Sequence, residues 1–284
     1  MENKNLFIVS TPIGNLKDMS QRAIETLSSC DLILCEDTRV SLKLLNHFNI
    51  KKPLQKYEKF SEEKVSNNLE KLFEKYNNIA LITDAGTPCI SDPGTKLVEK
   101  ARGLGTAVFA VPGSCAIIYA ISVCGFDFNN FAFLGFLPRS ENEQKKLFSQ
   151  VSRSDVVDCF CFYESPNRLL KTINNLKEIN VEKICVINDA TKLHEKHYVG
   201  DINKVIFELE QNENLTKGEY VVVFKIKKEA ISESKKELSN EALLIEEMIN
   251  NNCSLKQAIK NLSDKFSRNE LYKASLNLKN LFND

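Results

Sequence analysis

The chain has 284 residues, with 38 Lys plus Arg against 38 Asp plus Glu, so no global field draws it to nucleic acid or to a membrane surface, and any RNA contact must come from local patches. No stretch approaches the roughly 18 apolar residues of a membrane span, and Met1-Glu2-Asn3-Lys4-Asn5 lacks the apolar core of a signal peptide, which gives the expectation of a cytoplasmic protein without membrane contact. Nine cysteines without a Cys-x-x-Cys pair argue against a zinc knuckle and a secreted disulfide framework, and Cys30, Cys35, Cys89, Cys115, Cys124, Cys159, Cys161 and Cys185, mostly among apolar or small residues, read as reduced packing residues.

Four short apolar runs open the chain, each ending in a turn of Gly, Pro or acidic residues. Leu6 to Val9 leads into Ser10-Thr11-Pro12-Ile13-Gly14-Asn15-Leu16, and Leu32 to Cys35 into Glu36-Asp37-Thr38-Arg39. Ile79 to Ile82 leads into Thr83-Asp84-Ala85-Gly86-Thr87-Pro88, with Ser91-Asp92-Pro93-Gly94 beyond, and Thr106 to Val111 into Pro112-Gly113-Ser114-Cys115-Ala116. Runs without polar alternation are expected to be strands buried on both faces, the parallel-sheet pattern. Between them, Ser20 is placed to cap a helix carrying Ala23, Ile24 and Leu27, and Val65 to Tyr76 has helical spacing. Strand alternating with helix predicts a mostly parallel sheet over residues 1–121.

Residues 122–228 read as a second α/β unit of mixed strand direction. Its strand candidates are Phe131 to Phe136, Val156 to Tyr163, Lys183 to Asn188 and Tyr220 to Ile226, and its helices Gln144 to Val151 and Arg168 to Ile179. Lys227 to Ser239 reads as a polar linker. Residues 240–284 have helical pattern throughout, and from Asn251 onward hold six Lys or Arg against three acids, which fits either a helix-turn-helix module or an amphipathic buttress. His194-Glu195-Lys196-His197 spaces two imidazoles at i and i+3 without a third ligand in sequence, so no metal site is expected.

In open α/β sheets ligands bind outside the carboxyl ends of the strands, where all four turns lie. With no Gly-x-Gly-x-x-Gly after a strand and no Walker A sequence, the turns suit a small ligand with an anion and a polar ring. Backbone amides at Gly86-Thr87 and from Gly113 to Ala116 offer anion donors, and Asp84 an acceptor. Asp84 and Asp92 serve equally as turn caps, and Pro12, Pro88 and Pro112 as loop stiffeners.

Several of these segments together resemble the tetrapyrrole-methylase superfamily and, within it, the branch of bacterial 16S rRNA cytidine 2′-O-methyltransferases. They are Thr11 to Leu16, Glu36 to Arg39, Asp84 to Pro88 with Ser91 to Gly94, Gly135-Phe136-Leu137-Pro138-Arg139, Tyr163-Glu164-Ser165-Pro166-Asn167-Arg168, Lys217-Gly218-Glu219 and Asn269 to Lys273. The resemblance implies a two-domain α/β methylase with a small helical C-terminal module, a homodimer, and S-adenosyl-L-methionine bound in the cleft between domains. It also implies methylation of a decoding-region cytidine of 16S rRNA in the small ribosomal subunit. Carried onto this sequence, the cofactor residues are Pro12, Gly14, Asp84, Ala85, Gly86, Thr87, Pro88, Ile90, Ser114, Cys115, Ala116 and Tyr163. Asp37, Glu164, Lys192 and Glu219 are candidates to orient or deprotonate the hydroxyl, with Arg39 and Arg168 to hold phosphate or a carboxylate. Glu164 and Arg168 read equally as a structural i, i+4 pair. Phe136 and Tyr163 are candidates to receive an unstacked base.

The chain departs from the family pattern at Asn188-Asp189-Ala190-Thr191-Lys192, where Arg-Glu-Leu-Thr-Lys is usual, at Asn167, where histidine is common, and at Ser114, where proline is frequent. A tetrapyrrole methylase, a methylase of another RNA site and a catalytically silent ribosome-binding protein are the competing readings.

Overall fold

The computed structural model describes residues 4–227, 239–263 and 265–281, in two compact units, the first ending at Lys227. The first unit holds two five-stranded sheets. The N-terminal sheet is parallel throughout, in the order β3-β2-β4-β1-β5, from β1 (Asn5–Val9), β2 (Leu32–Cys35), β3 (Leu54–Lys56), β4 (Asn78–Leu81) and β5 (Ala107–Val111). Alternate residues of each strand face opposite layers. Leu6, Ile8, Leu34 and Leu81 pack against α3 (Glu62–Asn67), α4 (Leu69–Lys75) and α5 (Thr95–Gly103) through Val65, Leu69, Phe73 and Leu97. Val9, Ile33, Cys35 and Ala80 pack on the other face, against Ala23 and Leu27 of α1 (Gln21–Ser29) and Leu45 of α2 (Thr38–His47).

Three expectations need correction. The fourth run is not buried on both faces: β5 is an edge strand, and Phe109 is 50% exposed. The Val65 to Tyr76 helix is two helices, because the Asn68 side chain donates to Lys64 O at 2.8 Å and competes with continuation of the helix. The strand expected from Val156 begins at Cys159; Val156 itself is exposed.

The second sheet has the order β6-β7-β10-β8-β9, from β6 (Phe131–Phe136), β7 (Cys159–Glu164), β8 (Val181–Asn188), β9 (Lys196–Gly200) and β10 (Tyr220–Ile226). Only β6 and β7 are parallel within it. Phe160, Phe162, Val186, Val222 and Phe224 face α7 (Glu141–Val151), α8 (Leu169–Leu176) and α9 (Ile202–Glu210). Cys159, Cys161, Cys185, Val221 and Val223 face α6 (Ala116–Val123), the helix that leaves β5. Helix α6 therefore joins the layers and carries the β5 turn to the edge of the second sheet. Phe160 and Phe162 are buried in this core, whereas Phe131 is partly exposed. Burial pushes the thiols of Cys30, Cys159, Cys161 and Cys185 up to about 12, so they act as small hydrophobes.

The second unit contains α10 (Asn240–Asn250), α11 (Leu255–Leu262) and α12 (Arg268–Leu281), closed around Leu244, Ala258, Leu271, Ala274 and Leu278. Ser239 and Ser254 cap the first two helices, accepting from Ala242 N and Gln257 N. The expected linker lies almost entirely outside the described residues. No helix among the described residues is long and apolar enough to cross a membrane.

Candidate functional site

Parallel pairing brings the turns after β1, β2, β4 and β5 to one edge, and hydrogen bonds knit them together. Thr11 and Gly86 exchange backbone bonds of 2.8 and 3.1 Å. Thr87 Oγ1 lies 2.9 Å from Ser10 Oγ and donates to Ser114 O at 3.0 Å. Thr83 Oγ1 donates to Glu36 Oε2 at 3.0 Å, and Asp37 N–H to Asp84 Oδ1 at 3.1 Å. The Gly86 amide is thus occupied by Thr11 and is not the anion donor the sequence offered. Gly113 is required by close approach, since a Cβ there would lie 2.9 Å from Ser10 Cβ.

Between these turns and the second sheet lies a cavity of about 420 Å³. Of the predicted cofactor residues, Asp84, Ala85, Gly86, Thr87, Ile90 and Cys115 line it from the first sheet, together with Ala116; Tyr163 lines it from the second. Pro12, Gly14, Pro88 and Ser114 do not line it. Gly14 instead packs against the β8–β9 loop, and Ser114 O accepts the Thr87 hydroxyl. Sequence reasoning missed Ile13, Glu36, Ser91, Asp92 and Ala190 as lining residues. Glu36 and Asp92 lie on the turns after β2 and β4, and that position was the signal that could have found them.

Five acidic residues line the cavity, Glu36, Asp84 and Asp92 from the turns of the first sheet and Glu164 and Glu219 from the second. Burial raises the Asp84 carboxyl above its ordinary value, with the Asp37 amide opposing and Glu36 and Asp37 adding repulsion. Burial likewise raises Asp92, with the nearby Thr83 hydroxyl opposing and the Asp84 charge adding repulsion. A raised carboxyl holds its proton more tightly folded than unfolded. As pH climbs through the ordinary value of 3.8 toward the folded value, Asp92 therefore costs stability, and the cost is constant above that window. Asp92→Asn is expected to be slightly more stable than the parent at neutral pH, by about 0.5 kcal/mol or less, because the half-buried carboxylate is partly screened by solvent. The gain should vanish below the window, which urea unfolding at low and neutral pH checks; an equal difference at both would locate the effect elsewhere.

The six candidates for catalysis separate into distinct environments. Arg39 is 85% exposed and holds Asp37, donating from Nη2 at 2.6 Å. That hydrogen bond holds the Asp37 carboxyl well below the usual range. Glu164 has a fully buried side chain. Its Oε1 accepts from Ser165 N at 2.7 Å and Arg168 Nε at 2.8 Å, and its Oε2 from Thr172 Oγ1 at 2.7 Å. Arg168 also donates to Leu137 O and Pro138 O, so the pair anchors the Tyr163 turn to the Pro138 loop. Glu164 lines the cavity, but its lone pairs point into this network.

Lys192 Nζ donates to Asp189 Oδ1 at 2.6 Å and Glu219 Oε2 at 2.9 Å. Burial works against its charge, but these bonds outweigh it and raise its pKa, so it is an ammonium. Asn188 Nδ2 donates to Lys217 O and Glu219 O. The segment that departs from the family pattern is therefore satisfied internally and braces the Gly218–Glu219 wall of the cavity. Phe136, 64% exposed, lies with its ring centroid 5.5 Å from that of Tyr163, both rings lining the cavity.

The family described as Tetrapyrrole (Corrin/Porphyrin) Methylases matches residues 5–206. The chain is 40% identical over 238 residues to the Ribosomal RNA small subunit methyltransferase I of Mesomycoplasma conjunctivae, covering 82% of this chain and 97% of that protein. It is 37% identical over 275 residues to the protein of the same name from Haemophilus influenzae, covering 95% and 96%. Among solved structures, the fold is similar to uroporphyrin III C-methyl transferase from Thermus thermophilus, with a TM-score of 0.54 at 14% identity over 78% of this chain and 97% of that one. Diphthine synthase gives a TM-score of 0.57 at 15% identity, covering 79% and 90%.

Proposed function

This chain belongs to the tetrapyrrole methylase family, and from that premise we propose that it transfers a methyl group from S-adenosylmethionine to the 2′-hydroxyl of a decoding-region cytidine of 16S rRNA, in the small ribosomal subunit. The observation that carries the reading is the carboxylate-lined cavity between the sheets, in a chain whose relatives are named for ribosomal RNA methylation. The residues fit such a donor. A volume of about 420 Å³ lies in the range of cofactor sites, roughly 300–1,000 Å³. Glu36, Asp84 and Asp92 match a cationic donor, and Ile13, Ile90 and Tyr163 give apolar cover for a ring.

S-adenosylmethionine, when bound, supplies an electrophilic methyl group. The chain's first task is alignment, since placing the hydroxyl oxygen in line can contribute roughly 7–11 kcal/mol, against about 10²–10⁴-fold from a general base. Phe136 and Tyr163 stack the unstacked base, and Arg39 holds phosphate. Among the candidate bases, Asp37 does not line the cavity, Glu164 has both oxygens occupied by Ser165, Arg168 and Thr172, and Lys192 is protonated. This leaves Glu219, oriented by Lys192 at the cavity wall, as the group that would receive the proton the hydroxyl gives up as its oxygen takes the methyl group and the methyl–sulfur bond breaks to leave a neutral thioether. The basic α11 and α12 face RNA. A homodimer is part of the reading, supported by the apolar β5 edge with Phe109 and by exposed Ile118.

The test is transfer of labelled methyl from S-adenosylmethionine to small subunits lacking the modification, with the label mapped by nuclease digestion and mass spectrometry. One 2′-O-methylcytidine is expected. Asp84→Ala should weaken donor binding in calorimetry. Phe136→Ala should keep donor affinity but lower kcat/KM for the subunit roughly 10- to 100-fold, the worth of one base–aromatic stack. Equal donor affinity in both variants, or label on a different atom, contradicts the reading.

A further inference from the structure

The segment His194-Glu195-Lys196-His197 has a use in the fold other than a metal. Glu195 lies in the loop between β8 and β9, and its two carboxylate oxygens hold three pieces of chain. Oε2 accepts the backbone N–H of Thr191. Oε1 accepts the hydroxyl of Tyr119, on α6, and lies 2.6 Å from His197 Nε2, on β9. Burial opposes the Glu195 charge, but the Tyr119 and Thr191 bonds outweigh it and lower its pKa, so the acceptor stays ionised.

The piece of chain it holds is strained. Thr191 has φ +66° and Asp189 φ +53°, and a β-branched residue in the left-handed region is an outlier that persists only where its surroundings over-determine it. The strained loop spans the two sheets. Asn15 N–H, from the turn after β1, donates to Thr191 Oγ1 at 3.2 Å. A Cβ on Gly14 would lie 3.0 Å from Ala190 O and 2.5 Å from Lys192 Cγ. On the other side Asp189 N–H donates to Glu219 O at 2.9 Å, and Ala190, Gly218 and Glu219 all wall the cavity.

We propose that Glu195 is a positioning residue. By fixing left-handed Thr191 and tying it to Tyr119, it latches the β8–β9 loop against the turn after β1 and so sets the width of the cavity. That this width governs binding of the methyl donor rests on the function proposed above; the latch itself does not.

Hydrogen exchange on the full-length protein, paired with titration of S-adenosylmethionine, tests the latch. Glu195→Ala is expected to speed exchange at Asn15, over residues 189–194 and over residues 217–219, while β7 and β10 keep their protection. Donor affinity should fall about tenfold, the scale of one charge-assisted hydrogen bond. In Glu195→Gln the side-chain carbonyl accepts from Thr191 N–H and the amide donates to the Tyr119 oxygen, so most of both losses should be recovered. Unchanged exchange at Asn15 and residues 217–219 in Glu195→Ala overturns the latch, as does an increase spread evenly into β7 and β10. A parent chain that binds no S-adenosylmethionine, with exchange responding as described, removes the assigned donor and leaves the latch standing.

Discussion

Glu164→Ala is expected to lower the unfolding free energy by about 3–5 kcal/mol, the cost of removing one partner from a buried ion pair. The side chain is fully buried, and its loss strands the Arg168 guanidinium and the Thr172 hydroxyl, both of which donate to it. Leu137 O and Pro138 O still accept from Arg168, but neither neutralises its charge. Urea unfolding should show a lower midpoint with an unchanged slope, and heating a midpoint lower by roughly 10 °C. Glu164→Gln keeps an acceptor for Arg168 and should lose much less. With the anchoring role, transfer by Glu164→Gln should stay close to the parent's, whereas the competing role, as the base that takes the hydroxyl proton, predicts transfer down by about 10²–10⁴-fold at the same stability. That outcome would return Glu164 to the chemistry.

The same residue shows what the sequence could and could not tell. Glu164 and Arg168 at i and i+4 carried two readings of equal weight, and only burial and the Thr172 hydroxyl, eight residues on, separate them. Strands β1, β2 and β4 were legible because a strand buried on both faces has no polar alternation. β3 was not: it has three residues, none fully buried, and no apolar run to reveal it. Helix α2 was hidden by its own cap, since Asp37 reads as part of an acidic turn until its side chain is seen to accept Arg39 N–H. At the site, the turns were legible as motifs but their division of labour was not. Whether Gly86 offers its amide to a ligand depends on Thr11, 75 residues away in the chain, and such pairing is set by sheet register rather than by local sequence.

Gly218→Ala is expected to cost the most function for a single methyl group. Gly218 has φ +85°, where an alanine is strained by about 1–2 kcal/mol. The added Cβ would also lie 2.3 Å from Asp189 Oδ2 and 2.6 Å from Asn188 Nδ2, and overpacking of this kind typically adds about 1–3 kcal/mol. The clash cannot be relieved by a free rotation. Asp189 is held by Lys192 at 2.6 Å and by the Glu219 amide at 3.3 Å, while Asn188 bonds the backbone of the same turn. What must move is the turn itself, and with it Glu219 and the cavity wall. A displacement near 1 Å lowers an alignment-limited transfer by about 10²-fold, so methyl transfer should fall that far under conditions where the variant is still folded by circular dichroism. Asp189→Gly removes the nearest clashing atom and tolerates its own φ of +53°, so the double variant should recover part of the stability that Gly218→Ala loses. Additivity of the two substitutions would show that the turn and the β8–β9 loop are not packed against each other as described; a positive coupling places the strain at the contact between them.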